Sequence, residues 1–103
     1  IMLTVKRPTS PIVSRAARQL GEYLVTWRKL LGLTAEQVSQ RANITRTTLR
    51  NLENGSLGTS LETYLAVLAA LGILGDAIKA LDPYESDIGR ARADQLLPKR
   101  VRP

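Results

Sequence analysis

The stretch LTAEQVSQRANITRTTLRNLENG, residues 33–55, decides how this chain folds. It opens with a capping box, Thr34-x-x-Gln37, in which each side chain accepts a hydrogen bond from the other residue's backbone amide. Leu33 and Val38 hold the positions of a hydrophobic staple around that box, so a short helix is well started here. Asn43 tolerates the left-handed backbone that ends a helix abruptly. Thr45 then caps a second helix, Ile44 and Leu49 staple it, and Gly55 ends it. Val38, Ile44, Leu49 and Leu52 have the spacing that closes both helices on one core, with Ser39 small enough for a close crossing and Ala42 one turn later. What remains outward on the second helix is Arg46, Thr47, Arg50 and Asn51.

Upstream, SPIVSRAARQLGEYLVTWRKLLG (residues 10–32) predicts a long first helix. Ser10 caps it, Pro11 fits its first position, Gly32 stops it, and Ala16, Leu20, Leu24, Trp27 and Leu31 recur every three or four residues. Downstream, Ser60 opens a helix whose buried stripe is read as Leu61, Tyr64, Leu65, Leu68 and Leu71, with Gly72 as its stop. The segment ILGDAIKALD predicts a fifth helix that Pro83 closes. Residues 1–9 are read as a flexible arm, residues 10–82 as the folded domain, and residues 83–103 as a basic tail with room for a further turn or two around Ile88 to Leu97. The expected fold is all-α, with five helices.

Composition narrows the chemistry. The 103 residues suffice for one small core, and 44% are hydrophobic, but phenylalanine is absent and Trp27 is the only tryptophan. Such a core is built from Leu, Ile, Val and Ala. Neither cysteine nor histidine occurs, which removes disulfides, thiol nucleophiles, imidazole bases and the usual zinc ligands. The nine carboxylates show no metal-ligand spacing, there is no glycine-rich phosphate loop, and Ser14, Ser39 and Ser60 have no histidine to activate them. An enzyme is therefore not expected, nor is a cofactor. No apolar run approaches the roughly 18 to 20 residues of a membrane span, and no signal-peptide core is seen, so a cytoplasmic protein is expected.

The net charge of +6 is uneven. Residues 1–59 carry nine Lys or Arg against three Glu, residues 60–85 one against four acids, and residues 86–103 five against two. A basic face attracts a polyanion and gains from releasing its counterions.

Two short, capped helices joined by a tight turn are the local signature of a helix-turn-helix, whose second helix enters the DNA major groove. The outward residues suit that task. Arginine pairs bidentately with guanine, asparagine with adenine, and threonine offers a hydroxyl and a methyl. Thr45, at the head of the helix, belongs to the same candidate set.

Residues 33–55 closely resemble the helix-turn-helix of the lambda-repressor-like (XRE) family. The likeness is carried by the Leu33-Thr34-x-Glu36 start, the R-x-x-L-x-x-L-E-N-G run from Arg46 to Gly55, and the Ser60-Leu61-x-Thr63 opening of the next helix; it extends from about Leu20 to Leu81. Two positions depart from the family pattern: Asn43 replaces the common turn glycine, and Ala35 stands where many members place a phosphate-contacting glutamine. The resemblance implies that Arg46, Thr47, Arg50 and Asn51 contact bases or flanking phosphates, that Asn54 approaches the DNA backbone, and that Arg28 and Glu53 form a structural ion pair. It also implies a homodimer on a pseudo-palindromic operator. Ile73, Leu74 and Ile78 are the expected dimer surface, with the tail as the alternative.

The wider chain is similar to HipB-type antitoxins, which implies an autorepressor that also restrains a HipA-like kinase toxin. Leu96, Leu97, Lys99, Arg100 and Arg102 are then the candidate toxin-docking residues. Other readings of that tail, with Arg90 and Arg92, are a solvated basic end or an arm on DNA phosphates; the N-terminal VKRP is open to the same readings. Two alternatives for the whole remain: a protein-interaction antitoxin that has lost DNA binding, and a stand-alone regulator without a toxin.

Overall fold

A computed structural model describes residues 8–96, and every regular element among them is helical. Helix α1 (Pro11–Leu30) is followed by α2 (Ala35–Ala42), α3 (Arg46–Glu53), α4 (Leu61–Ala70) and α5 (Leu74–Ala80). A single 3-10 turn (Pro83–Glu85) then leads into α6 (Asp87–Leu96).

Local chemistry sets each boundary. The Ser10 hydroxyl accepts from the Ile12 amide, and Pro11 occupies the first helical position, where its missing N–H costs nothing. At α2 the capping box is complete: the Gln37 amide donates to Thr34 Oγ1 at 3.1 Å and the Thr34 amide to Gln37 Oε1 at 2.8 Å. Asn43 ends that helix at φ 57°, ψ 46°, and Ile44 at once turns the chain back. Thr45 and Ser60 accept from the third amide of α3 and α4 at 3.0 and 3.1 Å. Caps of this kind are each worth about 1 kcal/mol.

The core gathers Leu24 from α1, Val38 and Ala42 from α2, Leu49 and Leu52 from α3, and Val67, Leu68 and Leu71 from the α4 segment. Leu33 and Ile44, the outer halves of the two staples, pack against it. Ser39 is the buried polar residue of this region, and its hydroxyl donates to the Ala35 carbonyl at 2.8 Å, so its burial leaves no unmet donor. Gly21 lets α1 cross α3 at close range: a Cβ there would fall on the Glu53 carbonyl and lie 2.8 Å from that of Leu52.

Several expectations are corrected. The described residues hold six α-helices, not five, because residues 83–96 of the expected tail form the 3-10 turn and α6. Asp82 Oδ1 accepts from the Tyr84 amide, Ser86 Oγ from the Gly89 amide, and Arg90 joins the turn to α6 by donating to the Tyr84 carbonyl. On α4, Leu61 is 69% exposed while Val67 is fully buried. Leu68 and Leu71 of the expected stripe are buried and Tyr64 and Leu65 pack against the core, so the stripe fails only at Leu61, while Val67 joins the buried face that α2 packs across. On α1, Leu24 is buried, whereas Ala16, Trp27 and Leu31 are exposed. Of the expected arm, Pro8 and Thr9 are described; the Val5, Lys6 and Arg7 part of VKRP lies outside the described residues, as do Leu97, Lys99, Arg100 and Arg102.

Candidate nucleic-acid interface

Helix α3 is anchored by Leu49 and Leu52, both buried, which turns Arg46, Thr47, Arg50 and Asn51 to solvent. Among the described residues, neither Arg46 nor Arg50 has an ion-pair or hydrogen-bond partner. Arg46 sits at the positive end of the helix dipole, with no acidic residue in that first turn. A cation there is locally unfavourable and raises the positive potential at the helix head, which an anion would relieve.

Thr45 and Thr48 differ from the rest of the strip. Thr45 Oγ1 accepts from the Thr48 amide at 3.0 Å and donates to Thr48 Oγ1 at 2.8 Å. Thr48 is half-buried by this arrangement. Asn54 follows α3 as its C-cap and is exposed, and Gly55, at φ 85°, packs against the backbone of Arg18.

Two clefts flank the exposed strip. One, of about 180 Å³, is lined by Arg28, Ala35, Arg46, Leu49, Arg50 and Glu53, and so brings the heads of α2 and α3 to one cationic wall. The other, of about 220 Å³, is a polar cup of Thr48, Asn51, Ser56, Gly58, Thr59 and Ser60, between α3 and the head of α4. Ser56, Thr59 and Ser60 were not singled out from the sequence, where SLGT reads simply as a loop. Its density of hydroxyls just ahead of a capped helix was the available signal.

The floor of the first cleft is an ion pair. Arg28 Nε donates to Glu53 Oε2 at 2.9 Å and Nη2 to Oε1 at 3.3 Å, with side chains only 16% and 12% exposed. Glu53 ends α3, where the dipole disfavours a carboxylate, and the two-point contact with Arg28 offsets that cost. The pair ties α1 to the end of α3 and sets how far α3 projects.

Residues 19–81, more than half of the chain, match the helix-turn-helix domain family. The chain belongs to that family. In this helix-turn-helix protein, α2 and α3 are the two helices of the motif, and the match covers α3 and both clefts. Membership makes it a DNA-binding regulator of the lambda-repressor-like kind, from a family that works by binding rather than by catalysis. No curated protein and no solved structure matches the chain. No helix among the described residues is long and apolar enough to cross a membrane.

Proposed function

We propose that this protein is a dimeric, sequence-specific transcriptional repressor whose helix α3 reads the major groove. Arg46, Thr47, Arg50 and Asn51 contact base edges and adjoining phosphates. Asn54 and the polar cup take a backbone phosphate on one flank, and the cleft beside Ala35 takes one on the other. Thr45, with its hydroxyl already engaged, contributes by fixing where α3 begins. The domain that does this spans residues 10–82, and two copies would enter successive grooves roughly 34 Å apart. The observation that carries this reading is the exposed strip of Arg46, Thr47, Arg50 and Asn51 on the second helix of the motif, turned outward by the buried Leu49 and Leu52, with a cation and no acid in its first turn.

The test is fluorescence anisotropy with the DNA upstream of the protein's own gene, at two salt concentrations, beside a scrambled duplex. Specific binding should weaken about 5- to 150-fold for Arg46→Ala, the span of one good bidentate contact. Equal affinity for both duplexes, unchanged by that substitution, would reject the proposal.

The likeness to HipB-type antitoxins extends the proposal to autoregulation of a toxin operon, with the segment after α6, including Leu97, Lys99, Arg100 and Arg102, docking a HipA-like kinase. Co-purification of the neighbouring gene product with the full chain, and its loss on truncation after residue 96, tests this extension without touching the DNA-binding claim.

A further inference from the structure

Helix α6 has almost nothing to pack on. Its principal contact is the Pro83–Glu85 turn, and Ile88 and Leu96 are each 68% exposed. At about 100° per residue, Ile88, Ala91, Arg92, Gln95 and Leu96 share one face, while Gly89 and Ala93 lie on the side nearer the turn. Asp87 and Asp94 fall on neither. The free face is thus two aliphatic ends with a cation between them.

Elsewhere, a groove of about 330 Å³ runs between α1, α4 and α5, walled by Leu20, Tyr23, Trp27, Tyr64 and Ile73, with Asp76 at its edge. Trp27, the only tryptophan, is 42% exposed there. Neither Asp76 nor Arg92 has an ion-pair or hydrogen-bond partner among the described residues. The groove lies beside the acidic segment 60–85, and α6 opens the basic segment 86–103. Groove and helix are complementary in both apolar pattern and charge.

We propose that α6 of one molecule seats in the α1–α4–α5 groove of a second copy, with Ile88 and Leu96 against the aromatic wall and Arg92 beside Asp76. The helix-in-groove mode uses such i, i+4, i+8 anchors. In this structure α6 stands clear of its own molecule's groove, none of whose lining residues comes from α6. Ser86 caps α6, Arg90 bonds both Asp87 and the Tyr84 carbonyl, and a Cβ at Gly89 would lie 2.8 Å from the Pro83 carbonyl carbon. These contacts, all within residues 83–90, hold α6 and the turn as one stiff unit that a partner's groove can receive without rearrangement. This exchange rests on the dimeric reading above and identifies its surface. The sequence-based dimer surface is revised accordingly: Ile73 joins the groove wall, Leu74 is half-buried, and Ile78 stays outside.

Sedimentation equilibrium of the full chain, with Trp27 emission followed across the same concentrations, tests the exchange. The expected result is a dimer whose formation shifts Trp27 emission to the blue. Arg92→Glu and Asp76→Arg should each weaken it about tenfold, and the two together should restore it. Ile88→Asp should give a monomer with unchanged helicity of the remaining domain. A dimer that leaves Trp27 emission unmoved, or charge reversals that fail to compensate, would overturn the exchange and leave the dimeric repressor standing. A blue-shifted emission independent of concentration would mean that α6 folds back on its own groove, overturning it as well. A monomer at every concentration would remove both the exchange and the dimeric reading.

Discussion

Gly21→Ala is the substitution on which the geometry of α1 and α3 can be judged most sharply. Taken alone, alanine in a helix interior gains about 1 kcal/mol over glycine. Here the new methyl would fall on the Glu53 carbonyl oxygen, 2.8 Å from both its carbon and the Leu52 oxygen. All three atoms are backbone, so no rotamer change relieves the contact, and α1 must move away from α3. Overpacking of this kind costs about 3 kcal/mol at its upper range, and the same movement stretches the Arg28–Glu53 pair. We expect a net loss of about 2 kcal/mol, read in urea by far-UV circular dichroism as a midpoint lower by roughly 1 to 2 M at unchanged slope. Gly75→Ala is the matched control: it also lies in a helix, α5, but its Cβ would meet open space. It should gain up to about 1 kcal/mol. If Gly21→Ala were as stable as the parent, or followed Gly75→Ala upward, the close crossing of α1 and α3 would be refuted. The variant should also lose operator affinity, since α3 moves with the crossing.

Other outcomes follow from the same structure. Arg50→Ala should leave the thermal transition within about 0.5 kcal/mol of the parent, because the side chain is exposed and unpartnered, while operator affinity falls severalfold and the salt dependence flattens by up to about one ion. A double-mutant cycle with Arg28→Met and Glu53→Gln, read by urea denaturation, should give a coupling of about 1 to 3 kcal/mol; a value near zero would show the pair to be loosely held. Val67→Ala should cost about 1 to 3 kcal/mol and Leu61→Ala less than about 0.5, a contrast that thermal unfolding resolves and that reverses if Leu61 rather than Val67 is buried.

Most helix boundaries from Ser10 to Pro83 were legible because they are written in local chemistry, the start of α5 at Ile73, which has no side-chain cap, being the exception. A hydroxyl three residues ahead of the amide it caps, or an asparagine or glycine placed at positive φ, acts within one turn and needs no tertiary context. Most of the buried face of α4 was legible, in Tyr64, Leu65, Leu68 and Leu71, but its edge was not: Val67 lies inside it and Leu61 outside. LETYLAVLAA is apolar nearly all round, so its periodicity permits several stripes, and only the position of α2 selects Val67 over Leu61. Helix α6 was underestimated for a different reason. Its capping residues Asp82 and Ser86 were present, but it has little core to earn its place by periodicity, and its basic end reads as solvated. At the candidate interface the exposed strip on α3 was visible as the complement of Leu49 and Leu52, whereas the polar cup was not, because it joins residues of α3 to a loop and the head of α4.

Two departures from local rules fall on the two surfaces assigned to partners. Arg46 places a cation at the positive end of a short helix, and Arg50 adds a second unpartnered charge one turn on. A sequence selected for stability alone would put an acid in that first turn, as α2 does with Glu36 and α4 with Glu62. The second breach is the exposed Trp27 and Tyr23 beside an unfilled apolar groove, together with a helix whose aliphatic side chains face solvent. Each departure costs the isolated molecule stability and is relieved by one specific partner, a phosphate-rich groove in the first case and a second α6 in the second. The two surfaces are chemically distinct, so they separate experimentally: Arg46→Ala should weaken operator binding about 5- to 150-fold while leaving the dimer intact, and Ile88→Asp should dissociate the dimer while leaving α3 folded and able to bind a half-site weakly. A dimer lost with Arg46→Ala would show that the surfaces are not independent, and the division of labour argued for them would fail.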